Sequence, residues 1–212
     1  MKIGVIAASG KAGNLIVNEA INRGFEVVGV VRDASRVSQN IQIIEKNIFD
    51  LNKNDLNGIE LIINAFGAKG SDPIVYQTST QHLISLLNNT STRLIVVGGA
   101  GSLFTDETLQ QQVYQTPEFP AVVYPTSSNM AKALELLKNS HVNWTFFAPA
   151  ISFDYSGDKT GHYKLGSSFV ILNNSNESYI SYLDFVDALL DEVTNKQYLN
   201  QMMTAVSEKK PK

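Results

Sequence analysis

The feature that most constrains this chain is its amino-terminal end, where an apolar run leads into a turn of small residues and then an amphipathic segment. The run Lys2–Ala7 is apolar at nearly every position, as expected of a strand covered on both faces. Gly10 and Gly13 follow it, and Ala12–Arg23 has helical spacing. Small residues are needed where the backbone approaches a pyrophosphate, whose charge is received by free N–H groups at a helix N-terminus. The segment predicts a dinucleotide phosphate loop, with a tight turn that binds nothing as the alternative.

The candidate contacts of this loop with the pyrophosphate are Ala7, Ser9, Gly10, Lys11, Ala12 and Gly13. The loop departs from the G-x-x-G-x-x-G pattern at one position, because Ala7 stands where the first glycine is expected. Alanine makes such a turn without strain if its φ angle stays negative. We therefore expect a negative φ at Ala7.

The rest of the chain alternates short β-branched runs with longer amphipathic ones, which is typical of βαβ units and a mostly parallel sheet. Further strands are predicted at Phe25–Val31, Ile41–Glu45, Ile59–Asn64, Leu94–Gly98 and Asn143–Phe147, and further helices at Pro73–Leu87, Pro125–Asn139 and Tyr182–Thr194. The predicted fold class is α/β, a Rossmann-like, doubly wound, mostly parallel sheet with a small C-terminal substrate-capping region. The 212 residues suit a single domain, since α/β folds of about 200–250 residues commonly share one core.

The composition changes after Phe147, where Gly, Asn and Ser become frequent and the apolar segments become short. Within the single domain of residues 1–212, we predict that residues 150–195 form a cap over the substrate pocket. Ligands of doubly wound folds lie beyond the carboxyl ends of the strands, which is where such a cap belongs. The last segment, Ser207–Lys212, has three Lys and one Pro and is predicted to be a frayed end.

Composition excludes several classes of protein. The chain has no Cys, which excludes a disulfide framework, a thiolate nucleophile and Cys-ligated metals, and its 3 dispersed His predict no metal site. The 17 Lys and Arg against 20 Asp and Glu give a net charge of -3, which predicts neither a nucleic-acid-binding surface nor a basic membrane patch. No apolar run approaches the roughly 20 residues of a membrane span. We expect a soluble, cytoplasmic monomer or homodimer without nucleic-acid or membrane partners.

Residues after the second, third and fourth strands are candidates for binding the rest of a dinucleotide. Arg32 directly follows the second strand, where an Arg pairs with the 2′-phosphate of NADP(H) and an acidic residue binds the ribose hydroxyls of NAD(H). Because of Arg32, NADP(H) is preferred. Asp33 lies close to the position of that acidic residue, so NAD(H) stays open, and so does a solvated Arg32 that binds no ligand. Asp50 is a candidate for the adenine edge, with a helix N-cap as its alternative. Small residues and backbone near the cofactor are expected at Ala65, Phe66 and Gly67.

Taken together, these segments resemble the atypical short-chain dehydrogenase/reductases with NAD(P)-binding Rossmann folds, in the NmrA-like branch of NADH-flavin reductases and biliverdin reductase B-like proteins. The matching stretches are Ala7–Gly13, Val30–Arg32, Asn47–Asp50, Leu94–Leu103, Trp144–Ala150, Gly157–Tyr163 and Ser178–Ala188. Within them, Gly98 and Pro149 are added to the candidate cofactor contacts. The resemblance implies NAD(P)H as cofactor and reduction of a flavin, FMN or FAD, or of another planar acceptor. Because the group includes redox-sensing regulators, a non-catalytic NAD(P)-binding sensor is the alternative.

The chain lacks the helical Tyr-x-x-x-Lys pair with which many short-chain dehydrogenases protonate a substrate oxygen. The pattern occurs at Tyr155–Lys159, among Gly and Asp in a predicted loop, and Lys132 on a predicted helix is preceded four residues earlier by Ser128. For Lys132, contact with the nicotinamide ribose and a solvated position on the helix both stay open. A positioned general acid accelerates carbonyl chemistry by about 10²–10⁴-fold. Hydride transfer to a flavin needs chiefly stacking geometry. A flavin or quinone acceptor therefore fits this sequence better than a sugar or steroid alcohol, and the catalytic residue is unknown.

The acceptor is expected over the nicotinamide, beyond Gly98, where a run of small residues is predicted to leave room for a flat ring. Ser102 is a candidate hydrogen-bond donor to that ring. Each candidate has a structural alternative: a capping Ser, core apolar residues, or a surface His. The candidate acceptor-binding residues are Gly99, Ser102, Leu103, Phe104, Tyr155 and His162.

Overall fold

A computed structural model describes residues 1–68 and 70–210 of the chain. Strands and helices alternate along most of it, because apolar runs with β-branched residues are separated by segments of helical periodicity. In chain order the elements are β1 (Lys2–Ile6), α1 (Lys11–Asn22), β2 (Glu26–Val31), β3 (Gln42–Glu45), β4 (Leu61–Asn64), α2 (Val75–Leu87), β5 (Arg93–Val97), α3 (Tyr124–Lys138), β6 (Asn143–Phe147), β7 (Ser152–Asp154), β8 (Tyr163–Gly166), β9 (Tyr179–Ser181), α4 (Tyr182–Asn195) and β10 (Gln201–Ser207). No helix among the described residues is long and apolar enough to cross a membrane.

The main sheet has the strand order β3-β2-β1-β4-β5-β6-β10-β8. Its neighbouring strands are parallel except for the antiparallel pair β10 and β8. The order reverses between β1 and β4, and ligands of doubly wound sheets bind at the carboxyl ends of the strands beside such a reversal. The predicted Rossmann-like, doubly wound, mostly parallel sheet is confirmed.

Both faces of the sheet are covered by helices, which explains why its strands are apolar at consecutive positions. Ile3 and Val5 of β1 belong to a buried cluster with side chains of α1 and α4. Ile6 belongs to a second cluster, with Leu83 of α2 and Leu134 of α3. Side chains that alternate along β1 thus pack into two hydrophobic cores, one on each face of the sheet. The carboxyl end of β1 is held between them.

Sequence analysis missed β10. Its register pairs Gln201 with Thr145 of β6 and Ser207 with Tyr163 of β8, so the strand fills a gap between two others. Ser207, which we predicted to begin a frayed tail, is instead buried at the end of this strand with 3 % of its surface exposed. The segment carries few β-branched residues, so its extended conformation depends on pairing with β6 and β8 rather than on local propensity.

The segment of residues 150–195 contains β7, β8, β9 and α4. β7 and β9 form a separate two-stranded parallel sheet. Helix α4 packs beside α1, where the Arg23 guanidinium bonds the carboxylates of Asp187 and Asp191. The Tyr163 hydroxyl donates a hydrogen bond to the other oxygen of Asp191. These bonds tie the segment to the main sheet, and its role as a cap stays a prediction.

Candidate functional site

The turn after β1 has a shape that the residue types did not predict. Ala7 has a φ of 60°, in the left-handed region, so our expectation of a negative φ is wrong. Its N–H donates to the Val30 carbonyl oxygen at 2.9 Å, and its own carbonyl oxygen accepts from the Gly10 N–H at 2.8 Å. A side chain in this region costs about 1–2 kcal/mol, which the surrounding structure must offset. The loop therefore keeps the backbone of a glycine turn without the glycine.

Close packing explains why Gly13 is glycine. A Cβ at Gly13 would lie 2.1 Å from the Ala7 carbonyl oxygen, and one at Gly10 would lie 3.1 Å from the same atom. Gly10 is the N-cap of α1 and provides no side chain to bond the first-turn N–H groups, and that turn carries no acidic residue. The N–H groups and the positive end of the helix dipole are thus open to an anion. The arrangement fits a pyrophosphate.

Arg32 and Asp33, which follow β2, differ in whether their charged groups are already hydrogen-bonded. Asp33 caps a short turn, accepting from the Ser35 N–H at 3.1 Å and from the Ser35 hydroxyl at 2.6 Å. These hydrogen bonds lower the pKa of Asp33. Arg32 is exposed and forms no ion pair with any residue that the structure describes. The carboxylate is therefore engaged with its own turn, and the guanidinium is the charge available to a ligand.

The ends of β3 and β4 hold the next candidates. Asp50 is exposed at the end of a single 3₁₀ turn whose N-cap is Asn47, so Asp50 is not the N-cap that we gave as its alternative. Asn64 is buried at the end of β4 and accepts from the Phe66 N–H at 3.1 Å. Ala65 donates to the Ile6 carbonyl oxygen at 3.2 Å, which brings this segment against the end of β1. Gly67 is exposed beyond it.

The glycines after β5 serve close packing. Gly98 donates to the Phe147 carbonyl oxygen at 2.8 Å, and a Cβ on it would lie 2.2 Å from the Phe146 ring. A Cβ at Gly99 would lie 2.7 Å from the Met130 sulfur, and one at Gly101 would lie 2.6 Å from the Ser127 Cβ. The lack of side chains at these positions is thus required by packing against α3 and β6, and the room that we predicted for a flat ring stays a prediction. A narrow cleft between α2 and α3 opens beside them, lined by Phe66, Tyr76, Gly98 and Met130.

The residues that follow are more buried than an acceptor site requires. Ser102 and Leu103 have 0 % of their surface exposed, and Leu103 belongs to the apolar core beneath α2 and α3. The Ser102 hydroxyl has no partner among the described residues. Phe104 is half-buried and its N–H donates to Ser168 at 2.8 Å, while Pro149 is buried after β6. Ser102 and Leu103 therefore lie in the interior behind the turn that follows β5. The pocket roles predicted for them stay predictions.

Tyr155 is brought to the phosphate loop. The Lys11 ammonium lies 4.7 Å from the centroid of the Tyr155 ring, which is 53 % exposed. An aromatic row continues from it into the core, with centroid distances of 5.3 Å to Tyr182, 3.8 Å from Tyr182 to Phe153, 4.9 Å from Phe153 to Phe185, and 4.0 Å from Phe185 to Phe147. Sequence analysis missed this row. The alternation of Phe153 with Tyr155 and the three-residue spacing of Tyr182 and Phe185 are the signals that could have revealed it.

The residues that match the Tyr-x-x-x-Lys pattern do not form a catalytic pair. Tyr155 and Lys159 lie outside any helix, as predicted, and the Lys159 ammonium pairs with Asp187 at 3.0 Å and Glu19 at 3.5 Å. Lys132 is exposed on α3, and the Ser128 hydroxyl donates to the Pro125 carbonyl oxygen at 3.2 Å. Helix α3 therefore presents no phenol at the position where a general acid is expected.

The histidines are dispersed. His82 Nε2 lies 3.0 Å from the Leu51 carbonyl oxygen, and His141 is exposed. His162 is also exposed, directly before the edge strand β8, and its N–H donates to the Thr160 hydroxyl at 3.1 Å. Across residues 1–68 and 70–210, no three His, Asp or Glu side chains are grouped as metal ligands.

A larger groove lies elsewhere, at the opposite edge of the sheet. Its volume is about 670 Å³, and it is lined by residues that begin or precede strands, among them Glu60, Arg93 and Asn143. Parallel α/β sheets bind ligands at the carboxyl ends of their strands. The candidate site is therefore the region of the phosphate loop, although the cleft on that side of the sheet is smaller.

The strand order, the open N-terminus of α1 and the close approach at Gly13 define a dinucleotide-binding protein of the Rossmann class. A family model described as NAD(P)H-binding matches residues 7–195, and the chain belongs to that family. The fold is thus that of an NAD(P)H-binding oxidoreductase, and the predicted resemblance to this group is confirmed.

Three relatives cover nearly the whole chain. The uncharacterized protein YwnB of Bacillus subtilis is 45% identical over 98% of this chain and 99% of its own. A Streptococcus pneumoniae crystal structure named "putative NADH-flavin reductase" is 38% identical, with a TM-score of 0.94 over 98% of this chain and 100% of that one. A Bacteroides thetaiotaomicron structure named "putative epimerase" is 27% identical, with a TM-score of 0.83 over 98% of each chain.

Proposed function

We propose that this protein is an NADPH-dependent reductase that transfers a hydride directly to a planar acceptor, a free flavin or a quinone. The observation that carries the proposal is an open phosphate loop together with a helix α3 that has Ser128 and Lys132 where a catalytic Tyr and Lys are expected. A site without a positioned acid suits an acceptor whose reduced ring takes its proton from water. The name of the Streptococcus pneumoniae relative supports the flavin.

The protein's part in this reaction is binding and orientation. The first-turn N–H groups of α1, at Lys11 and Ala12, bind the pyrophosphate, and Gly13 lets the start of the helix pack against the Ala7 carbonyl group so that the turn keeps its shape. The cofactor, when bound, supplies the hydride. The segments at Ala65–Gly67, Gly98 and Pro149 position its nicotinamide end at the carboxyl edge of the sheet, and Asp50 binds the adenine.

Arg32 selects NADPH over NADH in this proposal. Its guanidinium is exposed at the end of β2, and Asp33 beside it is engaged by Ser35. A guanidinium forms charge-assisted, bidentate hydrogen bonds with a phosphate group. The 2′-phosphate of NADPH is the ligand group that these features favour.

The acceptor ring is placed between Tyr155 and the strand ends at Gly98 and Gly99. Tyr155 offers an exposed ring face that Tyr182 holds in place. Phe104 and His162 extend the wall of this site, and the buried Ser102 and Leu103 hold the turn behind it. The acceptor is then a small planar molecule. A cytoplasmic location accords with the proposal, because NADPH is supplied inside the cell.

Anaerobic stopped-flow measurement of NADPH absorbance with FMN, FAD and quinones tests the proposal. We expect oxidation well above the uncatalysed rate with at least one acceptor. Lys138→Ala is the matched control, since Lys138 is exposed in the last turn of the same helix and pairs with Glu135, and it should leave the rate unchanged. No oxidation above the uncatalysed rate with any acceptor refutes the reductase.

A second candidate function is a non-catalytic NAD(P)-binding sensor of the NmrA-like type. The strained Ala7 and the lack of a general acid on α3 favour it. It differs from the reductase in its expected result, which is measurable NADP(H) affinity without turnover. The same stopped-flow experiment, combined with a binding titration, separates the two.

A further inference from the structure

Asp184, in the first turn of α4, is a fully buried carboxylate whose side-chain hydrogen bonds all come from one loop. Its Oδ1 accepts from the Thr160 N–H at 2.8 Å and the Gly161 N–H at 2.9 Å, and its Oδ2 accepts from the Thr160 hydroxyl at 2.8 Å. A carboxylate loses its hydration on burial, so these donors replace water. The arrangement fixes the backbone at Thr160 and Gly161 more firmly than apolar packing does.

The loop is also fixed at its other end. Asp154 accepts from the Ser156 N–H at 2.9 Å, the Ser156 hydroxyl at 2.7 Å and the Tyr179 hydroxyl at 3.1 Å. A Cβ at Gly157 would lie 2.3 Å from the Tyr179 hydroxyl oxygen, so the chain passes tightly over β9. Residues 155–161, which we name the anchored loop, are therefore held at both ends by buried or hydrogen-bonded groups.

The anchored loop runs along the exposed side of α1. Its first residue, Tyr155, lies beneath the Lys11 ammonium in the first turn of α1, and Lys159 pairs with Glu19 two turns further along. Asp187 of α4 also bonds Lys159, at 3.0 Å. The loop thus bridges α4 and α1, and its position decides where the Tyr155 ring lies relative to the phosphate loop.

We propose that Asp184 is a positioning residue for the acceptor site: through Thr160 and Gly161 it fixes the anchored loop, and through that loop the ring face that Tyr155 presents to a planar acceptor. Asp184 itself is buried and touches neither ligand. The inference rests on the proposed function for the identity of the acceptor. It predicts that loosening the loop weakens acceptor binding and leaves dinucleotide binding to the α1 backbone intact.

Three variants test this role. Asp184→Asn keeps the size of the side chain but sets an N–H₂ group against loop donors. Thr160→Val removes the hydroxyl, which donates to Asp184 Oδ2 and accepts from the His162 N–H at 3.1 Å, and it keeps the two backbone bonds to Asp184. Ser181→Ala is the matched control, because it removes the hydroxyl that accepts from the Asp184 N–H at 3.0 Å and weakens the start of α4 without touching the loop bonds.

The measurements are FMN affinity by flavin fluorescence in protein saturated with NADP⁺, the KM and kcat for FMN, and NADP⁺ affinity. For Asp184→Asn we expect the FMN Kd and KM to rise about ten- to a hundredfold, because small displacements of positioning groups have effects of this size. Thr160→Val should raise both by a smaller factor. The FMN Kd in Ser181→Ala and the NADP⁺ Kd in all three should stay within about twofold of wild type.

Hydrogen exchange at the Thr160 and Gly161 amides separates the outcomes. Faster exchange in Asp184→Asn with unchanged FMN affinity overturns the inference, and if Asp184→Asn fails to fold, Thr160→Val decides in the same way. If the wild type binds FMN, FAD or a quinone but oxidises NADPH with none of them, and Asp184→Asn weakens that binding, the reductase fails and the positioning role stands. Turnover with an unchanged KM in Asp184→Asn refutes the positioning role alone, and absence of binding of all these acceptors by the wild type refutes both.

Discussion

The phosphate loop and the anchored loop meet where Lys11 lies over Tyr155, but different kinds of bond hold them. The phosphate loop is shaped by its own backbone: Ala7, Gly10 and Gly13 are close in sequence, and the contacts among them are between main-chain atoms. The anchored loop is held by side chains from β9, α1 and α4, such as Tyr179, Glu19 and Asp184.

This difference indicates which kind of substitution should disturb each half of the site, the phosphate loop or the anchored loop. A loop shaped by main-chain contacts tolerates changes to side chains that point outward. It does not tolerate an added atom where two main-chain segments touch. A loop held by side-chain hydrogen bonds responds chiefly to the loss of one donor, acceptor or charge. Variants that act on one half should therefore leave the other unchanged.

The largest effect is expected from Gly13→Ala in the phosphate loop. The added Cβ meets the Ala7 carbonyl oxygen and displaces the turn, which should lower the free energy of unfolding by about 1–3 kcal/mol and weaken NADPH binding by up to about 100-fold. Calorimetric titration with NADPH and thermal melting measure the two. Ile21→Ala, at an exposed position on the same helix, is the control. Unchanged NADPH affinity in Gly13→Ala contradicts a pyrophosphate site at this turn.

Arg32→Ala tests whether cofactor choice also belongs to the phosphate-loop half. Loss of charge-assisted hydrogen bonds to a 2′-phosphate should weaken NADPH binding by about 10- to 30-fold, with NADH binding little changed. Titrations with both nucleotides provide the measurement, and Arg36→Ala, an exposed Arg four residues further on, is the control. Equal losses for the two nucleotides refute the phosphate role of Arg32.

Ala7→Gly should strengthen the phosphate loop. Glycine relieves the left-handed strain at φ 60°, and the greater freedom of the unfolded chain offsets part of the gain, which leaves about 0.5–1 kcal/mol and a melting temperature higher by about 2 °C. Ala8→Gly is the matched control, because Ala8 is fully buried and its methyl group is lost, so its melting temperature should fall. A lower melting temperature in Ala7→Gly is incompatible with strain at this residue.

The smallest effect concerns the side-chain bonds near the anchored loop. Burial raises the pKa of Asp191, but the Tyr163 hydroxyl and the Arg23 guanidinium outweigh it and hold that pKa below its usual value. A carboxyl group with a lowered pKa in the folded state contributes stability above its unfolded pKa and loses it as the pH falls through the folded one. Asp191→Asn should therefore lower the melting temperature at pH 7 by only about 1 °C, since Asp191 is partly exposed.

The difference between Asp191→Asn and wild type should shrink as the pH falls from 5 towards 2. Melting curves at several pH values check this dependence, and Glu118→Gln, an exposed carboxylate, serves as the control. A difference that stays constant over that range shows that the carboxylate charge has no part in the effect.

Several elements of the fold followed from sequence because their signals are local. β1, α1 and the glycines between them could be predicted, since periodicity and small residues are readable in a short window. β10 could not, because Gln201–Ser207 has weak strand propensity and is extended by pairing with β6 and β8. Leu103 looked like a pocket residue beside the glycine run and is fully buried in the core.

By itself, the sequence determined the doubly wound class and the place of the phosphate loop, because hydrophobic alternation and glycine spacing act over a few neighbouring residues. Tertiary structure alone decided the left-handed backbone at Ala7, the aromatic row behind Tyr155 and the burial of Asp184 against Thr160. Each of these joins residues that are distant along the chain, or imposes a conformation that the residue type disfavours. Their geometry depends on packing and hydrogen bonds across the whole domain, which no local pattern contains.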